Sequence, residues 1–395
     1  MKRHGIIKHK TILLTAIIFL LMGWSIIPVF SSDTVPEETP TANVRGKVIK
    51  VVDTRQDSVD YSGGSLSDTV QVVEVKITSK GLHKGKTIIT DYALSLSFSS
   101  DEQHSKLEPG DEVLLILELD EKGEITQSYI YSVVRDKYLL LLLVIFAVVI
   151  LSVGRLKGLK ALISLILTIL AIIYILIPLI LKGFDPVFIS IWVCVLITGV
   201  TLLLVSGYNK KTLAAIIGTT GGVIAAGFLA QLVGGLAKLT GLGDEESQML
   251  MYIPQNISFD YKGLLFAGIL IGALGAAMDV AMSLSSAMFE IKDINPEIKK
   301  SSHIKAGMNI GRDMIATMSN TLILAYVGGS LQLLILLMAH EIPFYEIINQ
   351  DGYAGEVVRS FAGSIGLILT IPITAMAAGF LSEKKDKQDY SRYYK

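Results

Sequence analysis

Hydrophobic and polar positions follow two different patterns along the chain. Between residues 42 and 135, apolar residues alternate or cluster in runs of strand length, such as TVQVVEVKIT and DEVLLILEL. Turn sequences such as EPGD and DEKGE separate these runs. Short β-branched runs with this punctuation are typical of small all-β domains. Five such runs predict five strands and a β-barrel of the OB type or a close relative.

From Tyr138 onward, the apolar runs are long enough to cross a bilayer, which takes about 20 residues. They predict helices at 138–154, 159–181, 186–207, 212–237, 261–289, 314–339 and 358–381. An earlier apolar run, Thr11–Phe30, follows a basic head. Its length favours an uncleaved signal anchor over residues 1–31, with cleavage near Ser31 as the alternative.

These patterns predict an α-helical polytopic membrane protein with about eight transmembrane helices and a small extracytoplasmic all-β, OB-like domain. The predicted divisions are an anchor at 1–31, a polar linker at 32–41, the β-domain at 42–135, a seven-helix membrane domain at 138–382 and a polar tail at 383–395.

Charge sets the expected orientation. The chain is 51% hydrophobic and 18% charged, whereas soluble domains carry about 25% charged residues. Lysine and arginine are concentrated in alternate loops, and the positive-inside rule assigns those loops to the cytoplasm. Both termini are then cytoplasmic and residues 32–135 extracytoplasmic, in the cytoplasmic (inner) membrane of a bacterium. The formal net charge of −1 gives no indication of a nucleic-acid partner.

Two of the apolar segments carry polar and ionisable residues at helical spacing. Residues four, seven or eleven apart share one face of a helix, and ionisable residues inside a membrane are by default a functional-site hypothesis. If the two helices are antiparallel around a turn centred near Pro296, their polar faces oppose each other and the two aspartates lie at similar depth. The candidate cluster is Asp279, Ser283, Ser286, Asn309, Arg312, Asp313, Thr317 and Asn320.

Three interpretations of this cluster compete. Arg312 could pair with Asp279 or Asp313, so that the cluster is structural. The cluster could instead bind an ion or relay a proton, with one carboxylate ionised and the other exchanging its proton, and with neutral oxygens as further cation ligands. An intramembrane aspartyl hydrolase is the third interpretation, but neither the GxGD nor the YD pattern of that class occurs. Arg312 could also lie at the interface if 303–314 is an amphipathic entry segment.

Glycine spacing indicates close helix packing. Gly218 and Gly222 form one GxxxG spacing, and Gly268 and Gly272 form another. Such spacings let helix backbones approach closely. The alternative is a glycine-broken helix that lines a substrate path.

Motifs for catalysis or cofactor binding are not recognisable in the sequence. Cys194 is the single cysteine, and neither a phosphate-binding GxxxxGK[ST] loop nor an HExxH motif occurs. We therefore expect no enzymatic activity and no cofactor, and any transport is ion-coupled or driven by a separate subunit.

Two stretches resemble the YibE/F family of bacterial multi-pass membrane proteins. They are GALGAAMDVAMSLSSAMFEI at 272–291 and AGMNIGRDMIATMSNTLILAYVGGSLQLLIL at 306–336. The resemblance extends from about residue 42 to the last helix. It implies an eight-helix plan and a motif core formed by Asp279, Asn309, Arg312, Asp313 and Asn320, and it supplies no substrate.

The leading hypothesis is a permease-like protein in which Asp279 and Asp313 coordinate or relay a cation or proton. The alternative is an envelope scaffold or receptor that does not transport and whose polar cluster is structural. The expected partners are the lipid bilayer, an envelope protein bound through residues 42–135, and a second copy or a second membrane subunit.

Overall fold

The computed structural model describes residues 41–61, 64–81, 83–93, 106–120, 122–253, 259–340 and 342–382. The predicted anchor at 1–31, the tail at 383–395 and all but the last residue of the linker lie outside these ranges. The chain divides into two compact units between Val149 and Ile150.

The first unit contains a closed β-barrel. Its strands are β1 (Thr41–Tyr61), β2 (Gly64–Ile77), β3 (Thr87–Ala93), β4 (Glu112–Leu119) and β5 (Ile125–Val133). They are hydrogen-bonded in the order β1-β2-β3-β5-β4, and the circle is closed by antiparallel pairing of β1 with β4. The predicted small β-barrel of five strands is confirmed, and within it β3 and β5 pair in parallel.

Alternation along the strands forms the barrel core. Val113, Leu115 and Leu117 of β4 are completely buried, because every second side chain of a strand points to the same face. Gly46 of β1 lies against this core. An added Cβ at Gly46 would collide with side-chain carbons of Val75 and Leu115, so the close approach of the strands there requires glycine.

The long helical segment after the barrel contains a sharp break. Helix α1 (Asp136–Ala171) continues through a π-helical turn (Ile172–Leu176) into α2 (Ile177–Leu181). At Arg155 the backbone is non-helical, with φ of 48° and ψ of −127°, and Gly158 lies against the carbonyl of Ile150. A straight 46-residue helix would be about 70 Å long, more than twice the hydrocarbon thickness. The break divides it close to the gap between the predicted helices 138–154 and 159–181.

The remaining helices run from α3 to α10. They are α3 (Pro186–Ser206), α4 (Lys210–Leu236), α5 (Glu245–Met249), α6 (Tyr261–Ile294), α7 (Lys300–Gly329), α8 (Leu331–Ala339), α9 (Phe344–Ile347) and α10 (Asp351–Ser382). A 3₁₀ turn, Leu250–Tyr252, follows α5.

The predicted single helix at 314–339 is wrong. The chain is helical from Lys300, breaks at Ser330 and continues as α8 at an angle of 59°. The polar stretch before residue 314 is part of the same helix, since α7 packs along its neighbours over this whole length. The last helix begins at Asp351, earlier than the predicted residue 358.

Five helices of the described residues are long and apolar enough to cross a membrane, or six if the bent pair α7–α8 counts as one span. The first of the five is the broken segment Asp136–Leu181. The sequence therefore folds into a small β-barrel followed by a set of helices with the length and composition of membrane spans.

Helices α4 and α10 pack antiparallel through small residues. Gly218 lies against Thr374, and Gly222 lies against Thr370 and the carbonyl of Gly366. The first predicted GxxxG spacing therefore occurs where two backbones approach closely. The second does not, because Gly268 is on an exposed face of α6 and an added Cβ there would meet no atom of the described residues within 4 Å.

Candidate functional site

Helix α7 lies along two helices of spanning length. It runs antiparallel to α10, with Ile304 near Gly379, Gly311 near Ile371 and Leu322 near Gly363. It also runs antiparallel to α6, because Gly307 contacts Met288, and Tyr326 Oη would lie 2.8 Å from a Cβ added at Gly272. These contacts place Arg312 and Asp313 alongside the spans, and not on a separate interfacial segment.

The same contacts fix the relative depth of the two aspartates. Interpolation between them puts Asp279 level with residues at about 317–318 of α7, and Asp313 level with about 283–284 of α6. Asp279 and Asp313 are therefore offset by about 6 Å along the helix axes, one turn, instead of lying level. The difference arises because the turn between α6 and α7 is centred about two residues later than Pro296.

The polar side chains point away from the packed helix faces. Asp279 and Ser283 are exposed on α6, opposite the face that buries Ala277 and Leu284. On α7 the packed residues are His303, Gly307 and Gly311. The exposed predicted residues of α7 are Asn309, Arg312, Asp313, Thr317 and Asn320.

This orientation corrects the expectation of a shared cavity. At 100° per residue, the α7 stripe through Asn309, Asp313 and Asn320 is centred about 140° from the face of His303, Gly307 and Gly311 that packs on the neighbouring helices. The stripe therefore does not face α6, and among the described residues the two polar faces are not opposed. The two aspartates therefore lie about one turn apart in depth, on faces that do not oppose each other.

Arg312 does not form the predicted ion pair within one chain. Its Nη1 donates to Asn309 Oδ1 at 3.3 Å, and no carboxylate of the described residues lies within 4 Å of it. The described residues also contain no group of three or more His, Cys, Asp or Glu side chains arranged to hold a metal ion. Asp279 and Asp313 thus lack a cationic partner among the described residues.

Ser286 belongs to a different environment. It lines a cavity of about 630 Å³ at the Lys292 end of α6. Lys210, Lys211 and Glu290 line the same cavity, so its walls carry both signs of charge.

The break at Ser330 forms part of a second cavity, of about 180 Å³, which the sequence did not predict. Asp351 lines it together with Glu356 and Arg359 of α10, and these last two form an ion pair at 3.0 Å. The only sequence signal was Gly328-Gly329-Ser330 within an apolar run. Broken spans are a recurrent element of transporter binding sites.

Four buried polar atoms on α7 and α10 lie between the level of this cavity and the level of Asp279. Each lacks a hydrogen-bond partner among the described residues, and buried groups of this kind are the ones that ordered water satisfies. The contacts of α7 with α10 place Ser319 and Ser364 near the level of Asp279, and Tyr326 nearer the break. The four atoms are Ser319 Oγ, Ser364 Oγ, Tyr326 Oη and Arg359 Nε; three further atoms of this kind, Ser190 Oγ, Thr219 Oγ1 and Thr220 Oγ1, lie on α3 and α4.

The hydroxyl of Tyr326 approaches the same face of α6 that carries Asp279. Gly272, which Tyr326 Oη approaches, and Asp279 are seven residues apart and share this face. Their separation along the axis is about 10 Å. Between them, an added Cβ at Gly275 would meet no atom of the described residues within 4 Å, so no described residue covers α6 at that position.

At the opposite end of the bundle, His303 of α7 makes side-chain contacts with both α6 and α10. The side chain is buried, with 1% exposure. Its Nε2 lies 2.8 Å from the carbonyl of Met288 on α6, and its Nδ1 lies 3.2 Å from Ser382 Oγ on α10. A carbonyl only accepts, so Nε2 carries the hydrogen. His303 could not be predicted from the sequence, because a lone histidine among polar neighbours gives no signal of burial.

Comparison with known families identifies the helical region. A family model described as YibE/F-like protein matches residues 142–384. The match does not include the barrel strands, although the resemblance in sequence was expected to begin near residue 42. No curated protein and no solved structure matches the chain. Because the family match covers more than half of the 395 residues and falls on helices of spanning length, the chain is a membrane protein that belongs to the YibE/F-like family.

Proposed function

We propose that the protein is a permease-like transporter that moves protons or a small cation, with Asp279 as the exchanging carboxylate. The observation that carries this proposal is the set of unpartnered buried polar atoms on α7 and α10 between the level of the Ser330 cavity and the level of Asp279. A structural polar cluster satisfies its own hydrogen bonds, whereas a hydrated route needs groups that are left for water.

The geometry favours a positively charged or protonic cargo. A carboxylate without a cationic partner in a membrane is unfavourable unless it binds a proton or a cation. Ser283 and Thr317 lie within one turn of Asp279 in sequence or in level and carry neutral oxygens, which suit a hard cation. Asp313 and Arg312 lie about one turn away from Asp279 in level. In this proposal they carry fixed charges and do not take part in the exchange.

The orientation of the route in the membrane follows from the charge of the loops. The positive-inside rule assigns the Lys300 end of α7 to the cytoplasm and the Ser330 cavity to the outer side. The route would then connect the extracytoplasmic face with Asp279 near the middle of the bilayer, in a bacterial cytoplasmic membrane with both termini inside. We expect no catalytic step and no cofactor in this process.

Flux measurements in liposomes test the proposal. We expect wild-type protein to carry protons or a divalent cation, and Asp279→Asn to lose nearly all flux because the amide neither exchanges a proton nor neutralises a cation. Gly275→Leu should reduce flux to a similar degree by filling the open face of α6. Asp313→Asn, measured in the same assay, should retain flux, because in this proposal Asp313 does not exchange a proton or cation.

Two controls match these changes. Glu246→Gln makes the same carboxylate-to-amide change on α5, and Gly199→Leu adds the same side chain at an open position of α3. Both should retain wild-type flux, and all variants should have equal thermal stability. Absence of flux from folded wild-type protein for every ion tried would rule out the transport proposal.

A receptor or scaffold role is the second candidate, and one surface of the barrel favours it. Tyr129 and Tyr131 project from β5 with 46% and 65% of their surface exposed, and Ile89 of the neighbouring β3 is 64% exposed. Exposed aromatic residues are enriched in protein interfaces. Under this alternative, wild-type liposomes show no flux, and Asp279→Asn changes only stability.

A further inference from the structure

Helix α7 presents charged and amide side chains to the outside of the helical unit. Arg312, Asp313, Asn309 and Asn320 are exposed, although α7 packs along spans at the level of Gly311 and Ile371. Lipid tails offer no hydrogen bonds, and a charged side chain near the middle of a bilayer costs at least about 2.5 kcal/mol by insertion scales. Another polypeptide surface must therefore cover this stripe in the membrane.

The stripe has the shape of a helix–helix interface. Asn309, Asp313, Ala316 and Asn320 occur at i, i+4, i+7 and i+11, so they form one line along α7. Ala316 lies at the centre of this line and is exposed. A small residue flanked by polar side chains is the composition that brings membrane helices together.

The charges of the stripe select a second copy of this chain as the occupant. The N-terminal run Thr11–Phe30 contains neither a charged residue nor an amide, so it cannot pair with Arg312 or Asp313. A two-fold axis along the membrane normal brings residues of equal depth together, and the patch becomes complementary to itself. Each guanidinium then faces a carboxylate, because residues 312 and 313 are adjacent in depth and opposite in charge.

We propose that the α7 stripe is the interface of a homodimer in which Arg312 of each copy pairs with the partner subunit's Asp313. The pair supplies Arg312 with the carboxylate that it lacks within the described residues of one chain. It leaves Asp279 as the carboxylate without a cationic partner. The dimer does not depend on transport, and its tests read oligomeric state alone.

Cysteine cross-linking in native membranes tests the interface. Cys194 is the single cysteine of the chain, so Cys194→Ala gives a background without thiols. Ala316→Cys in this background should form a disulfide-linked dimer on oxidation. Trp192→Cys on α3, where the tryptophan is 60% exposed, should not. Equal cross-linking at both positions, no cross-link at 316, or a product with the mass of a different protein would overturn the proposal.

Charge exchange tests the proposed pair. Arg312→Asp and Asp313→Arg, each combined with Ala316→Cys, should reduce the cross-linked dimer by about tenfold or more, since each places like charges together. The double exchange should restore the dimer, because the pair is reformed with its signs reversed. Thermal stability of the purified variants identifies any that fail to fold. Well-folded single variants that cross-link like the parent would show that the pair is not formed.

Discussion

Replacement of Gly222 by leucine is expected to prevent stable packing of α4 against α10. The Thr370 hydroxyl, which donates to the carbonyl of Gly366 at 3.0 Å, occupies the space next to Gly222. A Cβ at residue 222 would collide with this hydroxyl and lie 2.7 Å from the Gly366 oxygen. Backbone cannot move aside as a flexible side chain can, so we expect a loss of about 3 kcal/mol of stability, at the upper end of the usual cost of overpacking. Thermal unfolding and size-exclusion profiles in detergent measure it.

Gly268→Leu provides the matched control for this prediction. It makes the same substitution at the first glycine of the other GxxxG spacing, where an added Cβ meets no atom of the described residues within 4 Å. The unfolding midpoint of this variant should stay close to that of wild type. Similar midpoints for Gly222→Leu and Gly268→Leu would contradict the α4–α10 contact.

The second large effect is expected at His303. Alanine at this position removes a buried side chain and leaves the Met288 carbonyl and the Ser382 hydroxyl without their imidazole partner. The cavity and the lost hydrogen bonds together should reduce stability by about 3 kcal/mol. Loss of these two hydrogen bonds should lower the thermal unfolding midpoint and make the chain near the Lys300 end of α7 more sensitive to proteolysis.

His340→Ala separates this effect from the general effect of removing a histidine. His340 is exposed at the end of α8 and lies 2.8 Å from the carbonyl of Leu336 on its own helix. We expect its removal to change the midpoint little. If His303→Ala were as mild as His340→Ala, the ends of α6, α7 and α10 would have to be held by other contacts.

Much of the barrel could be predicted because its residues carry local signals. Val113–Leu117 is a continuous apolar run of strand length between Glu112 and Glu118, and EPGD marks the turn before it, so run length and turn signal agree. The closure of the barrel by β1 and β4 joins residues about 70 apart in sequence. No local pattern indicates such a pairing, and it was inferred only from the number of strands.

The candidate site was less accessible to sequence reasoning. Helical spacing correctly grouped Asp279 with Ser283, and Asn309 with Asp313, on exposed faces. The direction of those faces depends on which neighbour each helix packs against, and Gly307 and Gly311 gave no indication that they formed the packed side of α7. For the same reason the Glu356–Arg359 pair was missed, because its position beside Ser330 depends on a break within an apolar run.

The bend at Ser330 has a consequence for the response of the protein to its lipids. At nine residues, α8 is about 13 Å long and too short to cross the hydrocarbon layer. It makes an angle of 59° with α7, and apolar residues such as Ile335 and Met338, 58% and 82% exposed, lie on its surface. Gly329 and Ser330 at the bend line the cavity beside Arg359, so we expect changes in bilayer thickness or headgroup packing that tilt α8 to change the shape of this cavity as well.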